Sequence, residues 1–180
     1  SPYRKLMRWL KENGRAPKPD DAKFIMSNNV NIKQLAELFG YIIPLPLWSE
    51  IEDDLRDDLQ TIELYEDTIS TLQNLKNRGY KLALCSNLAR YYGEQLKKLI
   101  PDLFDLIVLS YEVGHIKPEQ QIYAMIETHF KCDMKEMLFI GDHPVLDVEK
   151  PISLGMNARI INRHQEQNLL DVLGDLITRQ

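Results

Sequence analysis

Leu82-Ala83-Leu84-Cys85-Ser86-Asn87, near the middle of the chain, is a short apolar run that stops on two polar residues. The form returns at Leu106-Ile107-Val108-Leu109, followed by Ser110, and at Met137-Leu138-Phe139-Ile140, followed by Gly141-Asp142. A fourth run, Ala158-Arg159-Ile160-Ile161, lies further on. Helical spacing fills the intervals. Ile69, Leu72 and Leu75 lead to Gly79; Tyr92, Leu96 and Leu99 stop before Pro101. Ile122, Met125 and Ile126 precede the third run, and Leu169, Val172, Leu173 and Leu176 mark a terminal helix. Short apolar runs alternating with helices predict parallel strands buried on both faces, joined by right-handed crossovers. The fold class is therefore α/β, a doubly wound parallel sheet. Ligands of such sheets bind beyond the carboxyl ends of the strands.

Toward the amino terminus the pattern is purely helical. Ser1-Pro2 suits a helix start, with Leu6, Met7, Trp9 and Leu10 following and Gly14 as the stop. A linker, Arg15 to Pro19, precedes a short helix through Phe24, Ile25 and Met26. Asn31 can cap the next, through Ile32, Leu35, Leu38 and Phe39. Ile42 to Pro46 reads as a proline-broken loop, and Ile51, Leu55, Leu59 and Ile62 form the apolar stripe of another helix. The acids Glu52, Asp53, Asp54, Asp57 and Asp58 are expected on its solvated face. Residues 1–62 are thus expected to form a small helical layer, and 63–180 the α/β core. Trp9 and Trp48 are expected to pack within that layer.

Composition limits the function. The 180 residues carry 22 Lys+Arg and 27 Asp+Glu, a formal net charge of −5, with 44% hydrophobic and 27% charged residues. That is ordinary globular composition. The acidic balance argues against a nucleic-acid or anionic-membrane partner, which needs a basic face. No apolar stretch approaches the ~20 residues of a membrane span, and no signal peptide is expected, since Arg4, Lys5, Arg8 and Lys11 interrupt the early apolar residues. Two cysteines, Cys85 and Cys132, cannot form a disulfide framework. A cytoplasmic setting is expected. Cys85 reads as packing beside the site rather than as a nucleophile.

The polar residues after the runs are Ser86-Asn87, Ser110 and Gly141-Asp142, with Asp147 five residues on and Lys117 in the loop after the second run. Singly each is ordinary: Ser-Asn is turn chemistry, Lys117 a loop lysine, Gly-Asp a turn and helix cap. Together they place a hydroxyl, an amide, a lysine and two carboxylates at one sheet edge. Phosphoryl transfer uses such a set, because its transition state spreads negative charge over equatorial oxygens. Ser86 can bind the phosphoryl group, Lys117 can neutralise it, and Asp142 and Asp147 can hold Mg²⁺. His115 and His143 are loop histidines; His143, next to Asp142, is the better candidate for a substrate contact.

The stretches LALCSN (82–87), SYEVGHIKPEQQIY (110–123), MLFIGDHPVLDV (137–148) and LGMNARIINR (154–163) resemble the haloacid dehalogenase-like hydrolase superfamily, over about residues 64–163. The helical first third is similar to the helical cap of that group. The resemblance implies an Mg²⁺-dependent phosphatase acting on a small phosphorylated metabolite. Ser86 would be the second-motif phosphate binder, Lys117 the third-motif lysine, and Asp142 with Asp147 the metal acids; Asn87 would neighbour the phosphoryl site. The Gly-Asp-x4-Asp form favours the Mg²⁺-dependent phosphatases of the family.

One departure is large. The family's first motif is an apolar strand ending in Asp-x-Asp, which supplies the nucleophile and the general acid/base. It is absent from these residues. In the family that strand lies between the strands ending at Asn87 and Asp142. Two accounts stay open: a piece lacking ~20 preceding residues, or a natural member that lost catalysis and serves as a binding or scaffold protein. A phospho-receiver domain fits less well, having no place for the helical layer or the late Gly-Asp-x4-Asp. The substrate and the oligomeric state are not legible.

Overall fold

A computed structural model describes residues 1–100 and 102–178, the last by its backbone alone. The proline expected to stop the helix at residue 99 lies outside the described residues. Four helices come first: α1 (Pro2–Glu12), α2 (Asp21–Ser27), α3 (Ile32–Leu38) and α4 (Leu45–Gln60). Their apolar stripes meet in a core of Leu6, Leu10, Ile32, Leu35, Ala36 and Ile51, with Trp9 and Trp48 packed against it. Asn31 caps α3 reciprocally: its side chain accepts from the Gln34 N–H, and its own N–H donates to Gln34.

Two local expectations change. α4 starts at Leu45, inside the segment read as a loop, because Pro46 sits in the first turn, where no N–H is needed. The acidic face of α4 is only partly solvated. Asp54 lies 3.0 Å from Lys5 Nζ on α1, and Asp58 accepts a 2.7 Å hydrogen bond from the Tyr92 hydroxyl. Glu52, Asp53 and Asp57 are exposed as expected.

The remainder alternates: α5 (Thr68–Asn77), β1 (Ala83–Ser86), α6 (Arg90–Leu99), β2 (Leu106–Leu109), α7 (Ser110–Val113), α8 (Gln120–Phe130), β3 (Leu138–Gly141), a π-helical turn (Pro144–Glu149), α9 (Lys150–Ser153), β4 (Asn157–Ile160) and α10 (Leu169–Thr178). β1 pairs with β2 and β3 with β4, both parallel, with Ser86 opposite Leu109 and Gly141 opposite Ile160. The two pairs are not hydrogen-bonded to each other, so the sheet is split between β1 and β3. Ala83, Leu84 and Cys85 on one side, and Leu138, Phe139 and Ile140 on the other, line a cavity of about 1160 Å³. The split corrects the expectation of strands buried on both faces. Val108 and Leu109 are buried, but β1 and β3 are half-buried throughout, because no strand covers their facing edges.

Candidate functional site

Each expected site residue lies at or just beyond the carboxyl end of a strand. Ser86 ends β1; its hydroxyl makes no hydrogen bond among the described residues, leaving it free for a ligand. Gly141 ends β3 in close contact with the buried Asp147 carboxyl, where even one added carbon would collide. That collision explains a glycine at this spot. The chain then turns through the π-helical segment and brings Asp147 back against the peptide of Asp142-His143. One Asp147 oxygen accepts from the His143 N–H at 3.0 Å, and the other lies 2.5 Å from Lys117 Nζ.

Lys117 crosses the mouth of the gap. Its backbone is tied to Asn87, just after β1, and its side chain, only 10% exposed, reaches Asp147 after β3. Its ammonium also lies 5.5 Å from the Phe139 ring centre. The two halves of the sheet are thus joined at their carboxyl ends by one lysine. Ser86, at the end of β1, and the Lys117–Asp147 pair stand around that mouth. Burial pushes the neighbouring Cys85 thiol up to about 11, against the opposing pull of Lys117, so it is not a nucleophile at neutral pH.

The other residues divide. Asp142 is exposed and has no ion-pair or hydrogen-bond partner among the described residues. His143 is exposed too, and its Nδ1 accepts from the N–H groups of Val145 and Leu146 at 3.3 Å, capping the turn. His115 Nδ1 lies 3.2 Å from Glu119, which also pairs with Lys23 of α2. Asn87 spends its amide on the backbone of Lys117 rather than presenting it openly. Two further contributors are Tyr123, which had no role in the sequence reading, and Ser110, read there only as the polar residue after the second run. The fully buried Tyr123 donates to the Leu146 carbonyl at 2.6 Å, holding the turn before Asp147. Ser110, also fully buried, grips the backbone of Leu88. No sequence signal separates Tyr123 from ordinary core residues, whereas Ser110 is marked by its place directly after a strand.

Among the described residues, no group of three or more His, Cys, Asp or Glu side chains is placed to hold a metal. Two carboxylates do stand at this edge. A hard cation that keeps waters and takes substrate oxygens needs only one or two. Asp142 is open to such an ion. Asp147 is engaged, but each of its oxygens retains acceptor capacity beyond the bonds described. The donor set fits Mg²⁺, with Asp142 as its accessible member.

The profile of the haloacid dehalogenase-like hydrolases matches residues 4–161. The chain belongs to that family. A glyceraldehyde 3-phosphate phosphatase of Methanothermobacter thermautotrophicus is 32% identical over 118 residues, covering 60% of this chain and 52% of that protein. The pyrophosphatase PpaX of Bacillus cereus is 31% identical over 99 residues, 53% of this chain and 44% of that one. The chain therefore spans about half the length of these curated relatives. Among solved structures, an HAD phosphatase from Thermococcus onnurineus aligns with a TM-score of 0.59 at 26% identity, covering 93% of this chain and 78% of that one. A predicted HAD-like hydrolase from Porphyromonas gingivalis aligns at 0.65, with 18% identity and coverages of 99% and 91%, a likeness of fold. Among the described residues no helix is long and apolar enough to cross a membrane.

Proposed function

We propose that this chain is part of an Mg²⁺-dependent phosphatase that hydrolyses a small phosphomonoester through an aspartyl-phosphate. In this reading α1–α4 are the cap over the site, and residues 63–180 the core. One observation carries the reading: Lys117 bridges the carboxyl ends of β1 and β3 across the gap between them, with the free Ser86 hydroxyl and Asp147 at the same mouth. The nucleophilic carboxylate belongs on a further strand filling that gap, about 4.8 Å from each neighbour. A carboxylate at its carboxyl end would emerge beside Lys117.

Each residue then has a physical task. The Ser86 hydroxyl donates to a phosphoryl oxygen. The Lys117 ammonium lowers the repulsion between an incoming phosphate and the attacking carboxylate, two anions that would otherwise hold each other off. Asp142 and Asp147 would hold Mg²⁺, which when bound neutralises charge on the phosphoryl oxygens. Asp147 also keeps Lys117 extended across the mouth. His143 shapes the turn between the two acids and is the nearest histidine for a substrate contact. The phosphatase relatives support this reading, as does the small size of the phosphorylated substrate of the Methanothermobacter enzyme.

The test is a panel of phosphomonoesters offered to the protein extended to its natural start, with and without Mg²⁺. Hydrolysis that needs Mg²⁺, and falls in Asp142→Asn with a raised Mg²⁺ requirement, is the expected result. Undiminished hydrolysis in that variant removes Asp142 from the site. No turnover on any member would favour a non-catalytic binding protein on the same scaffold.

A further inference from the structure

The loops that follow β1 and β2 are laced together by two reciprocal side-chain-to-backbone pairs. Asn87 Nδ2 donates to the Lys117 carbonyl at 2.9 Å, and the Lys117 N–H donates to Asn87 Oδ1 at 2.7 Å. In the opposite direction, the Leu88 N–H donates to Ser110 Oγ at 3.0 Å, and that hydroxyl donates to the Leu88 carbonyl at 3.2 Å. Each loop thus lends one side chain to the other's peptide. Thirty positions separate Asn87 from Lys117 and twenty-two separate Leu88 from Ser110, so neither pair is a local turn.

We propose that Asn87 is a positioning residue, which fixes the backbone of Lys117 to the Ser86 loop, itself held at Leu88 by Ser110, and thereby aims the Lys117 ammonium across the gap. The proposal rests on the phosphatase reading of Lys117. A carboxamide offers a donor and an acceptor on one planar head, which matches the N–H and C=O of a single residue. Aspartate supplies only the acceptor, alanine supplies neither, and glutamine holds the head one methylene too far out. Lys117 has no hydrogen-bonded helix or strand around it to set its peptide, since α7 ends at Val113 and α8 begins at Gln120. The nearest other tie on this loop is the Ile116 N–H, which donates to the Glu119 side chain within the same segment at 3.2 Å. Among the described residues, the Asn87 pair is what bonds the Lys117 peptide to the β1 side. With the backbone fixed there, the Lys117 side chain runs to Asp147 on the β3 side. Asn87 therefore acts on phosphate through Lys117 rather than by contact.

The experiment uses the protein extended to its natural start, with Asn87→Ala, Asn87→Asp, Lys117→Ala and the double variant Asn87→Ala/Lys117→Ala. Hydrogen exchange at the Lys117 amide is read alongside kcat, KM and inhibition by inorganic phosphate. In Asn87→Ala the Lys117 amide should exchange about tenfold faster or more, since one bond of ordinary net strength is lost. kcat should fall about tenfold or more, while KM and phosphate inhibition move less than about threefold, because misplacing a charge costs chiefly in the transition state. The double variant should be no worse than Lys117→Ala alone. Asn87→Asp keeps the bond from the Lys117 N–H, so that amide should stay protected while kcat falls; this variant decides the matter if the alanine form does not fold. An unchanged Lys117 amide in Asn87→Ala overturns the proposal. So does a loss confined to KM and phosphate affinity, or losses that multiply in the double variant; either would make Asn87 a direct ligand. If no variant or parent turns over, the phosphatase reading fails separately, and amide exchange alone decides the clamp.

Discussion

Lys117 and Asp147 form an ion pair almost out of water, with side chains 10% and 5% exposed and 2.5 Å between nitrogen and oxygen. Their coupling should be measurable as stability. At an effective dielectric near 20, unit charges about 4 Å apart attract by about 4 kcal/mol. Desolvation consumes much of that, so the pair's net worth is small, whereas breaking it from one side is costly. Lys117→Met leaves a buried carboxylate whose one remaining bond comes from the His143 N–H; the expected loss is about 3–5 kcal/mol. Asp147→Asn keeps an oxygen for that N–H but turns an amide donor toward the ammonium, for a loss of about 2–4 kcal/mol. The double variant strands no charge and should lose only about 1–3 kcal/mol. The two single losses together should therefore exceed the double loss by about 5 kcal/mol. Urea unfolding at neutral pH of the four proteins gives the cycle, provided the m-values agree. Additivity to within about 0.5 kcal/mol would refute the claim that these groups sense each other as a buried pair.

Three further outcomes follow from single residues. Gly141→Ala places a carbon against the Asp147 carboxyl, so it should lower stability by about 1–3 kcal/mol in the same urea assay; no loss would mean that Asp147 does not pack there. The Arg15 guanidinium, bonded to both oxygens of Asp21, together with the Lys18 N–H, pulls that carboxyl down to about 2 from its ordinary 3.8. A depressed folded-state value stabilises fully above the ordinary one and is lost as pH falls from there toward 2. About 2 kcal/mol should therefore disappear across that window, and Asp21→Asn should lose that component of the acid sensitivity, read as the urea midpoint against pH. Cys85, its thiol raised to about 11 by burial, should react with a thiol reagent at pH 8 far more slowly than a free cysteine; a rate equal to that of a small thiol would contradict the burial.

The strands were legible because apolar runs bounded by polar stops leave little else to read. Residues 106–109 are β2 as expected, and the other three strands fall one residue from their runs. The apolar runs alone predict full burial, but the absent first motif, whose strand the resemblance places between β1 and β3, already implied the gap that leaves both half-buried. The site was half legible. Strand-end placement brings Ser86, Lys117 and Asp147 to one mouth, but spacing alone cannot tell that Asp147 is buried and bridged while Asp142 is open. Nor can it show that Asn87 is committed to a peptide thirty positions away. Such side-chain-to-backbone bonds have no periodicity. Two of the five α4 acids depart from the solvated face for a related reason, since Asp54 and Asp58 find Lys5 and Tyr92 only once the helices pack.

The central claim is phosphoryl transfer through a carboxylate standing in the gap between β1 and β3. The most direct measurement is to quench the protein, extended to its natural start, during turnover of a phosphomonoester labelled in its phosphoryl group, and to ask where the label sits. The account predicts Mg²⁺-dependent label on the protein, stable to acid, released by hydroxylamine as an acyl phosphate is, and located on an aspartate preceding Ser1. Label on a serine or histidine, or turnover with no labelled protein at any quench time, would contradict it.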